Sequence, residues 1–198
     1  MYTFSKRLFD FCSAFLVLLV FSPLFIFIAC WISLDSKGGV FYKQIRVGKN
    51  RKEFGLLKFR SMRPNADKVG QLTVGNDNRV TKVGRFIRKY KLDELPQLIN
   101  ILKGEMSVVG PRPEVPKYVN LYSDEQLKVL TVLPGLTDFA SIEYLDEQKV
   151  LGASNDPEKL YIEEVMPSKL SLNLKYINEK SFLLDIKLIF RTLLKIVR

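Results

Sequence analysis

The sequence predicts an α+β chain, mostly helical, with an N-terminal membrane helix, a small β-hairpin at about residues 40–59 and amphipathic interfacial helices. Three observations predict it. An uncharged run of 24 residues extends from Phe11 to Leu34. Two apolar-rich runs, Val40 to Val47 and Glu53 to Phe59, flank the turn cluster Gly48-Lys49-Asn50-Arg51. Beyond them, apolar residues recur at helical spacing. At 198 residues the chain holds one ordinary domain with an appendage, so we divide it into a membrane anchor, 1–36, and a domain, 37–198.

The first element is long and apolar enough to span roughly 30 Å of hydrocarbon. A cleaved signal peptide would also place Lys6 and Arg7 before an apolar run, and Phe27-Ile28-Ala29-Cys30 loosely resembles a lipoprotein box. Asp10, the excess apolar length and the absence of a polar tether after Cys30 argue against it. Ser22-Pro23 lies near the middle of the run, and proline removes a helical hydrogen bond and crowds the carbonyl four residues back. A kink is therefore expected, either in a spanning helix or at the apex of a re-entrant one. Basic residues stand on both flanks, Lys6 and Arg7 before the run and Lys37, Lys43 and Arg46 after it, with the heavier side assigned to the cytoplasm. The two cysteines, Cys12 and Cys30, both fall in the run and read as plain hydrophobes of a chain facing a reducing compartment.

After the hairpin, residues 60–80 mix Pro64, Gly70, Gly75, Asn76 and Asn78 without periodicity and read as a loop. Thr81 to Tyr90 reads as a basic helix. Leu95, Leu98, Ile99 and Leu102 share a helical face, and Pro96 is tolerated only in a first turn, so a helix is expected from Asp93 or Glu94. Gly110-Pro111-Arg112-Pro113 fixes an extended loop around one guanidinium. Ser123-Asp124-Glu125-Gln126 caps a short helix, and Leu133-Pro134-Gly135 breaks the chain. From Ser181 onward Asp185, Lys187, Arg191, Lys195 and Arg198 mark one side of a helix whose apolar side either lies in a membrane interface or covers the core.

Composition narrows the chemistry. With 47% hydrophobic residues the chain can bury a core, and with 31 basic against 21 acidic residues its charge is +10. The excess is local: residues 37–112 carry 18 basic and 6 acidic side chains, a net +12, whereas 1–36 sum to zero and 113–198 to −2. There is no histidine, which excludes Ser-His and Cys-His nucleophile pairs, His-ligated zinc and imidazole proton shuttles. Neither a P-loop nor a Gly-x-Gly-x-x-Gly pattern occurs.

Within the cationic segment Asp93 and Glu94 stand side by side, after Arg85, Arg88, Lys89 and Lys91 and before Arg112. Adjacent acids in a first helical turn have a structural use, because they complement the helix dipole. Fixed cations around two carboxylates also suit phosphoryl transfer. One carboxylate can attack phosphorus and carry the phosphoryl group, a second can hold Mg²⁺, and Arg88 and Arg112 can neutralise transition-state charge.

Four motifs in this order, Lys58-Phe59-Arg60-Ser61-Met62, Gly84-Arg85-Phe86-Ile87-Arg88, Leu92-Asp93-Glu94-Leu95-Pro96-Gln97 and Ser107-Val108-Val109-Gly110-Pro111-Arg112-Pro113, follow one membrane segment. This chain resembles the bacterial sugar transferases, the monotopic phosphoglycosyl transferases that begin glycan assembly. The resemblance implies a membrane-bound transferase that moves a sugar 1-phosphate from a UDP-sugar to undecaprenyl phosphate and releases UMP. It implies Asp93 as nucleophile, Glu94 as ligand of Mg²⁺, and Lys58, Arg60, Arg88 and Arg112 as substrate-binding residues. It also implies a re-entrant helix broken at Ser22-Pro23, contact with membrane lipids, and a domain 37–198 that is catalytic and faces the cytoplasm from the bacterial inner membrane. After Leu133-Pro134-Gly135-Leu136-Thr137 many members continue Gly-x-x-Gln, in a part linked to the choice of sugar, whereas this chain reads Asp138-Phe139-Ala140-Ser141. The short form is similar to the enzymes that attach a diacetylated bacillosamine in protein glycosylation. The competing reading is a membrane-tethered protein that binds nucleic acid or anionic lipid without catalysis; no helix-turn-helix, zinc or RRM pattern supports a nucleic-acid partner.

Overall fold

The computed structural model describes residues 2–64, 66, 77–144 and 147–197. The expected loop at 60–80 therefore lies partly outside the described residues, Gly70, Gly75 and Asn76 included. Helices α1 (Tyr2–Val20) and α2 (Ser22–Asp35) are bent by 63° at Phe21. No single helix among the described residues is long and apolar enough to cross a membrane, whereas this bent pair together is. The break follows from Ser22-Pro23. Pro23 has no N–H for the carbonyl of Leu19, and the Ser22 hydroxyl donates to that oxygen instead, at 2.8 Å. The serine thus satisfies the acceptor that the proline abandons.

The pair is not detached from the rest of the chain. Ala14 is fully buried with Phe54, Leu56, Leu98, Ile101 and Met106, and Ile28 and Ile32 pack with Phe59, Val83 and Ile87. Arg7 donates to the carbonyls of Ile101 and Leu102 at 2.7 and 3.1 Å, and buried Asp10 accepts from Val108 N at 3.0 Å. The outward residues remain apolar: Leu16, Leu19, Ile26 and Phe27 are exposed.

Strands β1 (Phe41–Val47) and β2 (Glu53–Phe59) form the expected antiparallel hairpin, running from Phe41 opposite Phe59 to Val47 opposite Glu53. Helix α3 (Lys82–Lys89) is capped by the Thr81 hydroxyl, which accepts from Gly84 N at 2.9 Å. The next helix departs from expectation. Asp93 and Glu94 form a separate 3-10 turn, Leu92–Glu94, and α4 (Gln97–Lys103) begins only after Pro96. Lys91 enters that turn in the left-handed region, with φ 56°, and i to i+3 bonds from Glu94 N and Leu95 N to the carbonyls of Lys91 and Leu92 hold it tight.

The sequence pattern did not predict a second, parallel pair, β3 (Ser107–Val109) with β4 (Gly135–Thr137). It depends on glycine at both ends, because a Cβ on Gly110 would meet the backbone of Leu133 and Gly135, and one on Gly135 would collide with Gly110. Gly135 N then reaches Pro111 O at 2.9 Å and Gly110 N reaches Thr137 O at 3.0 Å, so two distant breaks in the sequence lock into one rigid corner. Short helices α5 (Pro116–Val119), α6 (Phe139–Glu143) and α7 (Glu147–Gly152) follow, with the expected Ser123–Gln126 capping box in between. Helix α8 (Pro157–Leu160) continues through a π-turn, Tyr161–Val165, into α9 (Met166–Glu179). The wider turn accommodates Pro167, which an unbroken α-helix would not.

The last helix, α10 (Phe182–Val197), is turned differently from its expected charged and apolar sides. Asp185 is buried and accepts from Tyr176 OH at 2.7 Å, Tyr2 OH at 2.9 Å and Lys6 Nζ at 3.0 Å. Leu188 is fully buried, so one side of the helix covers the core. Leu183, Phe190, Leu193 and Leu194 are exposed beside exposed Lys187 and Arg191.

Candidate active site

The tight turn Leu92–Glu94 presents two carboxylates in opposite electrical conditions. Glu94 is held from both sides. Arg112 binds it through two nitrogens, Nη1 to Oε2 at 3.2 Å and Nη2 to Oε1, and Lys58 Nζ lies 3.6 Å from Oε1. Burial opposes the charge of Glu94, but Arg112 and Lys58 outweigh it and hold the carboxyl well below the usual carboxylate range. Arg112 is stabilised as a cation by the charge of Glu94 in return. Burial draws Lys58 below the usual lysine range, against the pull of Glu94.

Asp93 receives no such support. It is 7% exposed, and its Oδ1 has no hydrogen-bond partner among the described residues. Burial raises its pKa first and the neighbouring Glu94 charge raises it further, against smaller opposing effects of Lys58, Arg88 and Lys91. An unpaired, desolvated carboxylate oxygen is a strained acceptor and a reactive one.

Three elements place the cations. Lys58 sits on β2, which α4 locks in place through fully buried Asn100: its Oδ1 accepts from Leu57 N at 3.0 Å and its Nδ2 donates to Gly55 O at 2.9 Å. Arg112 sits in the corner fixed by Gly110 and Gly135. Its backbone N donates to Asp138 Oδ2 at 3.2 Å, while Oδ1 of the same buried residue caps α6 by accepting from Ser141 N at 2.6 Å. Sequence motifs do not mark Asp138 as a site residue, although an acid three residues before Ser141 is a cap signal. Arg88, on α3, borders the same cavity and acts electrostatically on Asp93.

Arg60 is placed differently. Its guanidinium donates to the carbonyls of Ser36, at 2.7 Å, of Lys37 and of Ile32, at 3.5 Å, and so closes the C-terminal end of α2. Gly38, with φ +124°, leaves the room for this, since a Cβ there would meet the guanidinium. The residue grouped with Lys58 in the sequence thus fastens the bent helix pair to the hairpin.

Asp93, Glu94, Lys58, Arg60, Arg88 and Arg112, with the Arg60 guanidinium engaged by carbonyls at the end of α2, all line one cavity of about 1600 Å³. This exceeds the roughly 300–1,000 Å³ of a pocket for one small molecule, and its walls change from these charges to apolar Phe9, Val17, Ile189 and Leu193. No group of three or more metal-ligating side chains occurs among the described residues. The Asp93–Glu94 donor set nevertheless fits Mg²⁺, which binds through one or two carboxylates and takes the rest of its shell from phosphate and water.

Taken together, a bent N-terminal helix pair, a two-stranded hairpin and a buried Asp-Glu turn clamped by Lys58 and Arg112 define the class, and the chain belongs to the bacterial sugar transferase family, whose model matches residues 1–198. Among its relatives, the uncharacterized sugar transferase EpsL of Bacillus subtilis is 38% identical over 192 residues, covering 97% of this chain and 87% of EpsL. The UDP-N-acetylgalactosamine-undecaprenyl-phosphate N-acetylgalactosaminephosphotransferase of Aeromonas hydrophila is 37% identical over 97% of this chain. The UDP-glucose:undecaprenyl-phosphate glucose-1-phosphate transferase of Escherichia coli is 40% identical over 96% of it. This chain spans less than half of those two proteins, 43% and 39%.

Proposed function

We propose that this chain moves a sugar 1-phosphate from a UDP-sugar to undecaprenyl phosphate, with release of UMP, at the cytoplasmic face of the bacterial inner membrane. The observation that carries the reading is the contrast within one turn: Glu94 paired with Arg112 and Lys58, Asp93 buried beside it with an unpartnered oxygen. That the Aeromonas and Escherichia relatives are undecaprenyl-phosphate sugar phosphotransferases supports the same reaction.

In the first step a carboxylate oxygen of Asp93 attacks the sugar-bearing phosphorus. The bond from that phosphorus to the bridging oxygen breaks, and UMP leaves with the electron pair. In the second step an oxygen of undecaprenyl phosphate attacks the same phosphorus, the acyl phosphate bond breaks, and Asp93 returns as a carboxylate. Arg112 and Arg88 offset charge on the phosphoryl oxygens, and Lys58 keeps Glu94 ionised beside them. Glu94 would hold Mg²⁺, which supplies further neutralisation of the diphosphate when bound.

The membrane reading rests on the exposed apolar residues of α1 and α2, on the 63° bend, and on exposed Leu183, Phe190 and Leu194 of α10 beside Lys187 and Arg191. A re-entrant pair keeps both basic flanks on one side, where anionic headgroups meet exposed Lys37 and Lys43, while Lys6 and Arg7 are held by Asp185 and by the carbonyls of Ile101 and Leu102. The test is UMP formation by purified protein with Mg²⁺ and undecaprenyl phosphate. Donors are UDP-glucose, UDP-N-acetylgalactosamine and UDP-N,N'-diacetylbacillosamine. Turnover with at least one donor, dependent on the lipid phosphate, is expected; folded protein that forms no UMP from any of them overturns the reading.

A further inference from the structure

Five buried side-chain polar atoms have no hydrogen-bond partner among the described residues, and four of them belong to residues that line the cavity of Asp93. Besides Asp93 Oδ1 and Arg60 Nε, these are Asn173 Oδ1, on α9, and Ser141 Oγ, on α6. Asn173 is 4% exposed, so its amide oxygen has forfeited water without gaining a donor. Helix α6 packs on α9, and Ser141 and Asn173, one on each helix, both line this cavity. That wall is tied to the carboxylate turn, because Asp138 accepts both Ser141 N and Arg112 N. One turn before Asn173, Lys169 is engaged with Glu147 at 2.8 Å, so the nearby cation is already paired.

We propose that Asn173, assisted by Ser141, is a specificity-determining subsite that accepts a hydrogen bond from the sugar of the donor, from a hydroxyl or from the N–H of an acetamido group. The inference rests on the transfer reaction proposed above and adds to it the residues that choose the sugar. Its physical basis is asymmetry. A buried acceptor satisfied by the right sugar is left unpaired by the wrong one, so discrimination comes chiefly from rejection. A purely structural asparagine at this depth would have its amide oxygen bonded within the fold, as Asn100 does with Leu57 N.

The experiment measures kcat and KM of the full chain for UDP-glucose, UDP-galactose, UDP-N-acetylglucosamine and UDP-N-acetylgalactosamine, in wild type, Asn173→Leu, Asn173→Ala and Ser141→Ala. Leucine matches asparagine in branching but has no acceptor. For Asn173→Leu the thermal midpoint should stay level or rise, since an unsatisfied polar group is removed, while the preference between the best and worst donor collapses at least tenfold. Loss of preference within a glucose/N-acetylglucosamine pair assigns the bond to the substituent at position 2, and loss within a glucose/galactose pair assigns it to the 4-hydroxyl. Ser141→Ala should shift the same ratio, by a smaller factor. If Asn173→Leu unfolds, the ratio is read from Asn173→Ala. Folded Asn173 variants that keep the wild-type ratio overturn the subsite while leaving the reaction in place. Wild type that forms no UMP from any of these donors or from UDP-N,N'-diacetylbacillosamine overturns the reaction itself.

Discussion

Two buried carboxylate clusters in this molecule are built from similar groups and completed to different degrees. Around Asp185, both oxygens are served, by Tyr176 on one side and by Tyr2 and Lys6 on the other, and the cluster joins α1, α9 and α10. Around Asp93 and Glu94, among the described residues, Glu94 is served and an oxygen of Asp93 in the cavity wall is not. A completed network resists change and fixes packing. An incomplete one sacrifices stability for an oxygen able to react, and this difference separates structure from chemistry where burial and charge alone do not.

The comparison breaks most sharply at its two aspartates. Asp93→Asn should lower turnover by at least about 10³-fold, as removal of a covalent nucleophile does, measured as UMP release per folded molecule. The same variant should melt higher near neutral pH. The sign follows from linkage: burial and Glu94 raise the pKa of Asp93 in the folded state, so its ionised form opposes folding at high pH and ceases to do so as pH falls through the folded pKa. The stability gap between wild type and Asp93→Asn should therefore close as the solution is acidified.

Asp185→Ala should act in the opposite way. It leaves Lys6, Tyr2 and Tyr176 without their shared acceptor and should cost about 3–5 kcal/mol in chemical denaturation, the penalty for breaking a buried pair. Turnover per folded molecule should be near wild type.

Arg112→Ala should lower turnover by about 10²-fold with the fold retained, and Arg112→Lys should recover little, because lysine cannot make the two-nitrogen contact with Glu94. Unfolding of both would reassign Arg112 to the structural class of Asp185. Glu94→Gln should reduce activity and weaken its dependence on Mg²⁺, tested by titrating the metal back after chelation.

The smallest expected effect is on pH. Because the Asp93 pKa is raised, the acid limb of the rate should fall with a midpoint above the ordinary aspartate value of about 3.9. Residual activity of Glu94→Gln should show that limb at lower pH, since one of the two causes of the rise is gone.

Features carried by local signals were legible in the sequence. Ser22-Pro23 marks the bend, Gly48-Lys49-Asn50-Arg51 the hairpin turn, Thr81 the start of α3, and two adjacent acids in a +12 segment the candidate site. Features made by distant contact were not. The motifs marked Lys58, Arg88 and Arg112 together, but not how they divide: Lys58 of β2 and Arg112 of the Gly110–Pro113 corner clamp Glu94, whereas Arg88 acts on Asp93 from α3. Strands of three residues held by facing glycines leave no periodicity to read, so β3 and β4 stayed hidden. Helical spacing put Asp185 with the charged residues of α10; tertiary packing turned it inward to Tyr176. Arg60 shares a motif with Lys58, yet one residue between them in a strand and its exit is enough to send it to the carbonyls of α2.

Whether Asp93 carries the phosphosugar is decided by a half-reaction. The protein is mixed with an accepted UDP-sugar and Mg²⁺ without undecaprenyl phosphate, and UMP and the mass of the Asp93 peptide are followed together. A burst of UMP of up to one per protein molecule is expected, with the mass of a sugar phosphate added at Asp93 and discharged when undecaprenyl phosphate is supplied. Protein that turns over with both substrates, yet releases no UMP and gains no mass without the lipid, would contradict a phosphosugar carried by Asp93.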